Sequence, residues 1–221
     1  VKTHVIDRLD DAVNPIVVKE LRQAVRSRLV TSALLLVLLI EMIVLGTFLL
    51  TRQMQATDDL DGRGGQAMFI TLQGILLGTC MLLIPAYAGI RLGMERSDSN
   101  VDLLFISTLK PRTIIWGKFV AAAVLALLIF SACAPFMTFT YLLRGLDMPT
   151  ILLVLGIDLL AVLGSTMLTL FLASISGNRA LKGLVGLVGM WALGTIFFGA
   201  MGFSAMMIEE GAIVRARPEE F

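Results

Sequence analysis

Apolar residues in this chain come in five long blocks, over residues 29–51, 67–90, 119–143, 151–175 and 183–208. Each block is apolar all the way round a helical projection, not along one stripe, unlike a helix on the surface of a water-soluble bundle. Crossing the hydrocarbon core of a bilayer takes roughly 20 helical residues, and every block is long enough. In lipid, backbone N–H and C=O groups must be satisfied within a helix or around a closed barrel. Barrel strands alternate apolar and polar positions, which these blocks do not. The pattern predicts an all-α integral membrane protein, a polytopic bundle of five transmembrane helices. It forms one domain over residues 1–221, with a tail and interfacial helix over 1–28, spans over 29–208 and an external tail over 209–221.

Two stretches outside the blocks carry a different pattern. In "NPIVVKELRQAVRSR", Asn14 suits an N-cap and Pro15 the first helical position. Val17, Leu21 and Val25 lie four apart with Val18 and Ala24 beside them, while Lys19, Arg22, Gln23 and Arg26 fall on the other side. That predicts a basic amphipathic helix lying at the cytoplasmic surface and leading into the first span. In "ERSDSNVDLLFISTLKPRTIIWGKF", residues 95–119, Val101, Leu104, Phe105 and Thr108 follow i, i+3, i+4, i+7. Ser97 or Ser99 can cap this helix, Asp98 and Asp102 suit its first turn, Lys110 its end, and Pro111 closes it. Residues 112–118 then lead into the third span, with Trp116 at interface depth.

Composition agrees with the bilayer as solvent: 57% of residues are hydrophobic, 16% are charged, and mean hydropathy is +0.88. Charge distribution orients the chain. With a cytoplasmic N-terminus, inner segments hold thirteen Lys and Arg and outer segments five, and the outer segments are rich in acids. The expected location is a bacterial inner membrane. Six basic residues and no signal-type apolar core occupy the first 28 positions, so no cleavable signal is expected. The chain begins at Val1, so an earlier start is expected. The polar stretch 211–221 reads as an external loop without structure, ahead of a sixth span. Cys80 and Cys133 both sit inside apolar blocks, where small apolar filler is the expected role.

Two acids interrupt the blocks. Glu41 lies midway through the first and Asp158 about two turns into the fourth. A central acid costs roughly 2.5–3.5 kcal/mol to insert, so each should face protein or water and find a partner. One reading is a substrate path or proton relay; the other is a carboxyl bonded to Ser, Thr or Gln on a neighbouring span. Pro85 and Pro135 are expected to kink their helices. Gly183, Gly186, Gly189, Gly194, Gly199 and Gly202 should allow close helix approach in the fifth span.

The two motif stretches resemble the ABC type 2 permease family. "NPIVVKELR" looks like its N-terminal elbow, written N-P-(apolar)₃-K-E-(L/F)-(K/R). The loop after the second span is similar to that family's pattern E-(K/R)-x-x-G-T-L-(E/D)-x-L-L followed by T-x-L-x-(K/R)-x-x-I-(I/L)-x-G-K. Glu95, Arg96, Asp102, Leu103, Leu104, Thr108, Leu109, Ile114, Ile115, Gly117 and Lys118 fall in register, while Ser99 and Asn100 replace the usual Gly-Thr. Five spans depart from the family's six. The resemblance implies a permease that dimerises with a second permease subunit, and a cytoplasmic ATPase bound to the short helix, which acts as a coupling element. On that basis the coupling residues are Val101, Asp102, Leu104, Phe105 and Thr108, bracketed by Glu95 and Lys118. The elbow residues are Asn14, Pro15, Lys19, Glu20 and Arg22, and the possible substrate path is Glu41 and Asp158.

No G-x-x-x-x-G-K-[ST] occurs, so this chain has no phosphate cradle, and ATP and magnesium belong to the partner subunit. No cofactor or metal of its own and no nucleic-acid partner are expected. An intramembrane enzyme is disfavoured, because His4 is the lone histidine and lies outside every span, and no G-x-G-D surrounds Asp158. A membrane scaffold or assembly protein satisfies five plain spans equally well. The two motif stretches favour transport over it.

Overall fold

The computed structural model describes residues 21–24, 26–54, 63–97, 111–143, 146–175 and 179–216. These form five long helices: α1 (Arg28–Met54), α2 (Arg63–Ser97), α3 (Pro111–Leu142), α4 (Met148–Ser174) and α5 (Arg179–Ala216). No strand occurs among the described residues. Each helix contains a segment long and apolar enough to cross a membrane: Val30–Thr51, Gly64–Leu92, Ile115–Leu142, Met148–Ser174 and Ala180–Glu209. The chain is a multi-pass helical membrane protein, and all five blocks emerge as single helices.

The bundle is organised round α2. Half of its crossing segment is buried, against 11% for α1 and 6% for α5. Its most extensive interface is with α4, and α3 fits against both; α1 lies over α2 and α3, and α5 lies mainly on α4. Phe69, Leu72, Leu76, Leu77 and Ile84 of α2 are fully buried. On α4 the buried positions are Ile151, Val154, Asp158, Val162, Ser165, Thr166 and Leu170. Three- and four-residue steps mark one face of each helix, although the residues on the other faces are apolar too. Those outer faces carry Leu35, Leu39, Met42, Leu82, Leu152, Leu160, Leu187 and Phe198, all exposed. In water such a belt would drive association; in a bilayer it meets acyl chains at no cost.

One close approach fixes the central pair. A Cβ at Gly89 of α2 would stand 2.9 Å from Thr169 Cγ2 of α4. The α5 glycines behave otherwise than the sequence suggests. Only Gly189 faces a neighbour, Leu172 Cδ1, at 3.0 Å from a built Cβ; Gly183, Gly186, Gly194, Gly199 and Gly202 meet nothing within 4 Å. Their small size is not used inside this chain, because α5 touches the bundle along one narrow line.

Several boundaries move. The stretch read as a loop over 95–119 is shorter, since α2 runs on to Ser97 and α3 starts at Pro111. Pro111 opens α3, as suits a residue whose missing N–H is needed least in a first turn, and the segment it was expected to close lies outside the described residues. Residues 111–118 are already helical. Helix α5 continues to Ala216, so residues 211–216, read as unstructured tail, are helical. Extending an existing helix costs far less than nucleating one. Both α2 and α3 continue through Pro85 and Pro135 as single helices.

At the N-terminal end, residues 21–24 are helical and the chain turns at Arg26 and Ser27 before α1. The Ser27 carbonyl accepts the first α1 bond, from Thr31 N at 3.1 Å, and also the Thr31 hydroxyl at 3.2 Å. Ala24 is buried, while Arg22, Gln23 and Arg26 are exposed. The rest of the amphipathic stretch read from the sequence, residues 14–20 and Val25, lies outside the described residues.

Candidate functional site

The interior of a membrane bundle has no water to satisfy polar groups, so each buried one needs its own account. Among the described residues eight polar or charged ones are buried: Glu41, Gln73, Lys118, Thr140, Asp158, Ser165, Thr166 and Ser204. Three of these are settled locally. Thr140 donates to Met137 O at 2.6 Å, and Ser165 and Thr166 both donate to Val162 O at 2.7 Å.

Gln73, Asp158 and Ser204 form a hydrogen-bonded network between helices. Gln73 Nε2 of α2 donates to Asp158 Oδ2 of α4 at 2.9 Å and to Ser204 Oγ of α5 at 2.6 Å. Ser204 passes its own proton to Ala200 O at 2.9 Å, which leaves its lone pairs free to accept. One amide thus ties three helices together. It also gives Asp158 the glutamine partner on a neighbouring span that the sequence left as one of two readings. Asp158 Oδ1 and Gln73 Oε1 remain buried without partners.

Glu41 is placed differently. Midway along α1 it turns into the bundle with no exposed surface, and neither carboxyl oxygen has a hydrogen-bond partner. The Cys133 thiol of α3 lies against it. Cys80 of α2 is within electrostatic reach of both Glu41 and Asp158. Both cysteines are free and buried. Gln73 and Cys80, seven residues apart, lie on one face of α2, and the two acids border the seam of thiols and amide on that face. All four unpartnered oxygens in this seam can accept hydrogen bonds: Glu41 Oε1 and Oε2, Gln73 Oε1 and Asp158 Oδ1. The donors in the seam are the Gln73 amide and the two thiols, which are weak ones. No cluster of three or more His, Cys, Asp or Glu with metal-holding geometry occurs among the described residues.

A double-mutant cycle checks the network. Gln73→Leu and Asp158→Leu should each destabilise, since each strands the other's polar group. The double variant should recover part of the loss, with a coupling of roughly 0.6–1.7 kcal/mol, the scale found for hydrogen bonds between membrane helices. Thermal unfolding in detergent reads it, and strictly additive losses contradict the bond.

The other sequence candidates are dispersed. Asn14, Pro15, Lys19 and Glu20 lie outside the described residues, as do Val101, Asp102, Leu104, Phe105 and Thr108. Arg22 is exposed in the helical stretch before α1. Glu95 falls in the last turn of α2, and its side chain lies outside the described residues. Lys118 is only 3% exposed, turned into the bundle near the start of α3. Sequence reading missed Gln73 and Ser204. The available signal was Gln73 itself, the one amide in the apolar block 67–90. Serine on a membrane helix gives no such signal, because it usually bonds to its own helix.

The chain matches no protein-family model, no curated protein and no solved structure.

Proposed function

We propose that this chain is the membrane-spanning subunit of an ATP-driven transporter of the ABC type 2 class, working by export. ATP is hydrolysed on a separate nucleotide-binding subunit, and a second permease subunit completes the assembly. The N-terminus faces the cytoplasm of a bacterial inner membrane.

One observation supports the reading most. Helix α2 continues to Ser97, beyond the apolar block that ends at residue 90, and α3 begins at Pro111, ahead of the block that starts at residue 119. At 1.5 Å per residue these extensions carry the connector, residues 98–110, about 10–12 Å beyond the apolar blocks. That connector bears the motif resembling a coupling helix, and it hangs on the two helices most involved in the core. A push on it is delivered to α2, the helix with the largest buried share, and so to the whole bundle. A helix shift of this kind is an ordinary route for switching between states. The bend at Arg26 and Ser27 supports the elbow half of the resemblance.

Purification of the chain from native membranes, with mass spectrometry of what accompanies it, tests the reading. The expected companion is an ATPase with Walker motifs whose retention changes when nucleotide is added. Recovery of the chain without any ATPase would favour the scaffold reading. Topology offers a second check. Because Cys80 and Cys133 are buried, a cysteine introduced at Leu104 should dominate labelling by a membrane-impermeant thiol reagent. It should react in inverted vesicles and stay silent in intact cells, and the reverse pattern would end the proposal.

A further inference from the structure

A partly open cleft lies at the connector end of the bundle, between α2 and α3. Tyr87, Ala88 and Arg91 line it from α2, Lys118, Ala121, Ala122 and Leu125 from α3, and Ala24 from the stretch before α1. The small alanine side chains keep it open, and its free volume is about that of one water molecule. The Tyr87 hydroxyl is buried and has no hydrogen-bond partner. The Arg91 guanidinium sits over the Tyr87 ring, 5.3 Å from its centroid, so ring and cation hold one another in place. Among the described residues no carboxylate pairs with Arg91.

Depth narrows the choice of ligand. Arg91 directly follows the apolar block 67–90 and Lys118 directly precedes the block 119–143, so both lie where hydrocarbon gives way to headgroups. Trp116 is 55% exposed and stacks at 5.3 Å on Phe119 at the same level, as an aromatic belt residue does. The anion most abundant at that depth is the lipid phosphate, and basic pockets between membrane helices are suited to it. The cleft is too small for a nucleotide or a sugar but takes a single phosphate oxygen, with the rest of the headgroup outside.

We propose that this cleft is a binding site for an anionic phospholipid, whose phosphate accepts hydrogen bonds from the Tyr87 hydroxyl and the Arg91 guanidinium. Lys118 adds positive potential from the α3 side. Such a lipid would pin α2 to α3 beside the connector. The assignment is independent of the transport reading, because it needs only the bundle.

Thermal unfolding of the full chain in neutral detergent tests it, titrated with phosphatidylglycerol, phosphatidylcholine or inorganic phosphate. Phosphatidylglycerol should protect and phosphatidylcholine should not. Arg91→Gln should weaken that protection by about tenfold or more in apparent affinity, the scale of a charge-assisted hydrogen bond. Tyr87→Phe guards against misfolding as an explanation. Without lipid it should be at least as stable as the parent, since it removes a hydroxyl that bonds to nothing, yet its response to phosphatidylglycerol should still fall several-fold. Equal protection by the two lipids would overturn the site, as would unaltered titrations in both variants. Protection by inorganic phosphate at matching concentration would overturn the lipid assignment in favour of a free anion.

Discussion

Replacing Leu104 and Phe105 together with aspartate is expected to leave the protein in the membrane but to abolish transport, while the partner's ATP hydrolysis continues. Both residues lie in the connector, outside the described residues, so the expectation rests on their periodicity and on the coupling role proposed above. Burying a Leu or Phe side chain is worth roughly 1.5–3 kcal/mol. Losing both removes roughly 3–6 kcal/mol from docking on the ATPase, about two to four orders of magnitude in affinity. Two carboxylates facing an apolar groove add to the loss. None of the five crossing segments is touched, so insertion should match the parent. Transport and ATP turnover measured side by side in proteoliposomes give the result, and transport at the parental rate would remove the coupling assignment.

Gly89→Ala is expected to be the most damaging single-methyl change in the bundle. The new Cβ would lie 2.9 Å from Thr169 Cγ2, closer than carbon atoms tolerate. Thr169 cannot easily swing its methyl away, because its hydroxyl is bonded to Ser165 O at 2.9 Å, which holds the rotamer. Either that bond breaks or α2 and α4 separate along their most extensive interface. Overpacking of this kind costs about 1–3 kcal/mol. Part of the loss is offset by the better helix propensity of alanine. The diagnostic result is rescue. Thr169→Ser deletes the clashing methyl and keeps the hydroxyl, so Gly89→Ala with Thr169→Ser should unfold close to the parental temperature in detergent. If the serine variant restores nothing, the Gly89–Thr169 contact does not set the α2–α4 distance.

The two acids show where reading the chain stops short. That Glu41 and Asp158 must turn inward was legible, because a carboxyl facing lipid is too costly. Which partner each would find was not. Asp158 meets Gln73 from a helix 85 positions away in sequence, and Ser204 joins from 131 positions beyond Gln73. Glu41 meets only the thiol of Cys133. Nothing local distinguishes the two cases. The same holds for Lys118, whose sequence context reads as the last basic residue before a span and whose side chain is in fact buried at the connector end.

By itself, the amino-acid sequence determined that this protein is helical, membrane-embedded and five times spanning. Those properties depend on block length and on backbone hydrogen bonds that a helix satisfies within itself, so no knowledge of neighbours is needed. Only the tertiary structure decided that α2 is the hub, that α1 and α5 are peripheral, and that most of the α5 glycines face no neighbour. In water, polarity marks the outer face of a helix. In lipid, outer and inner faces are equally apolar, and the choice between them falls to side-chain shape and a few interhelical polar contacts such as that of Gln73.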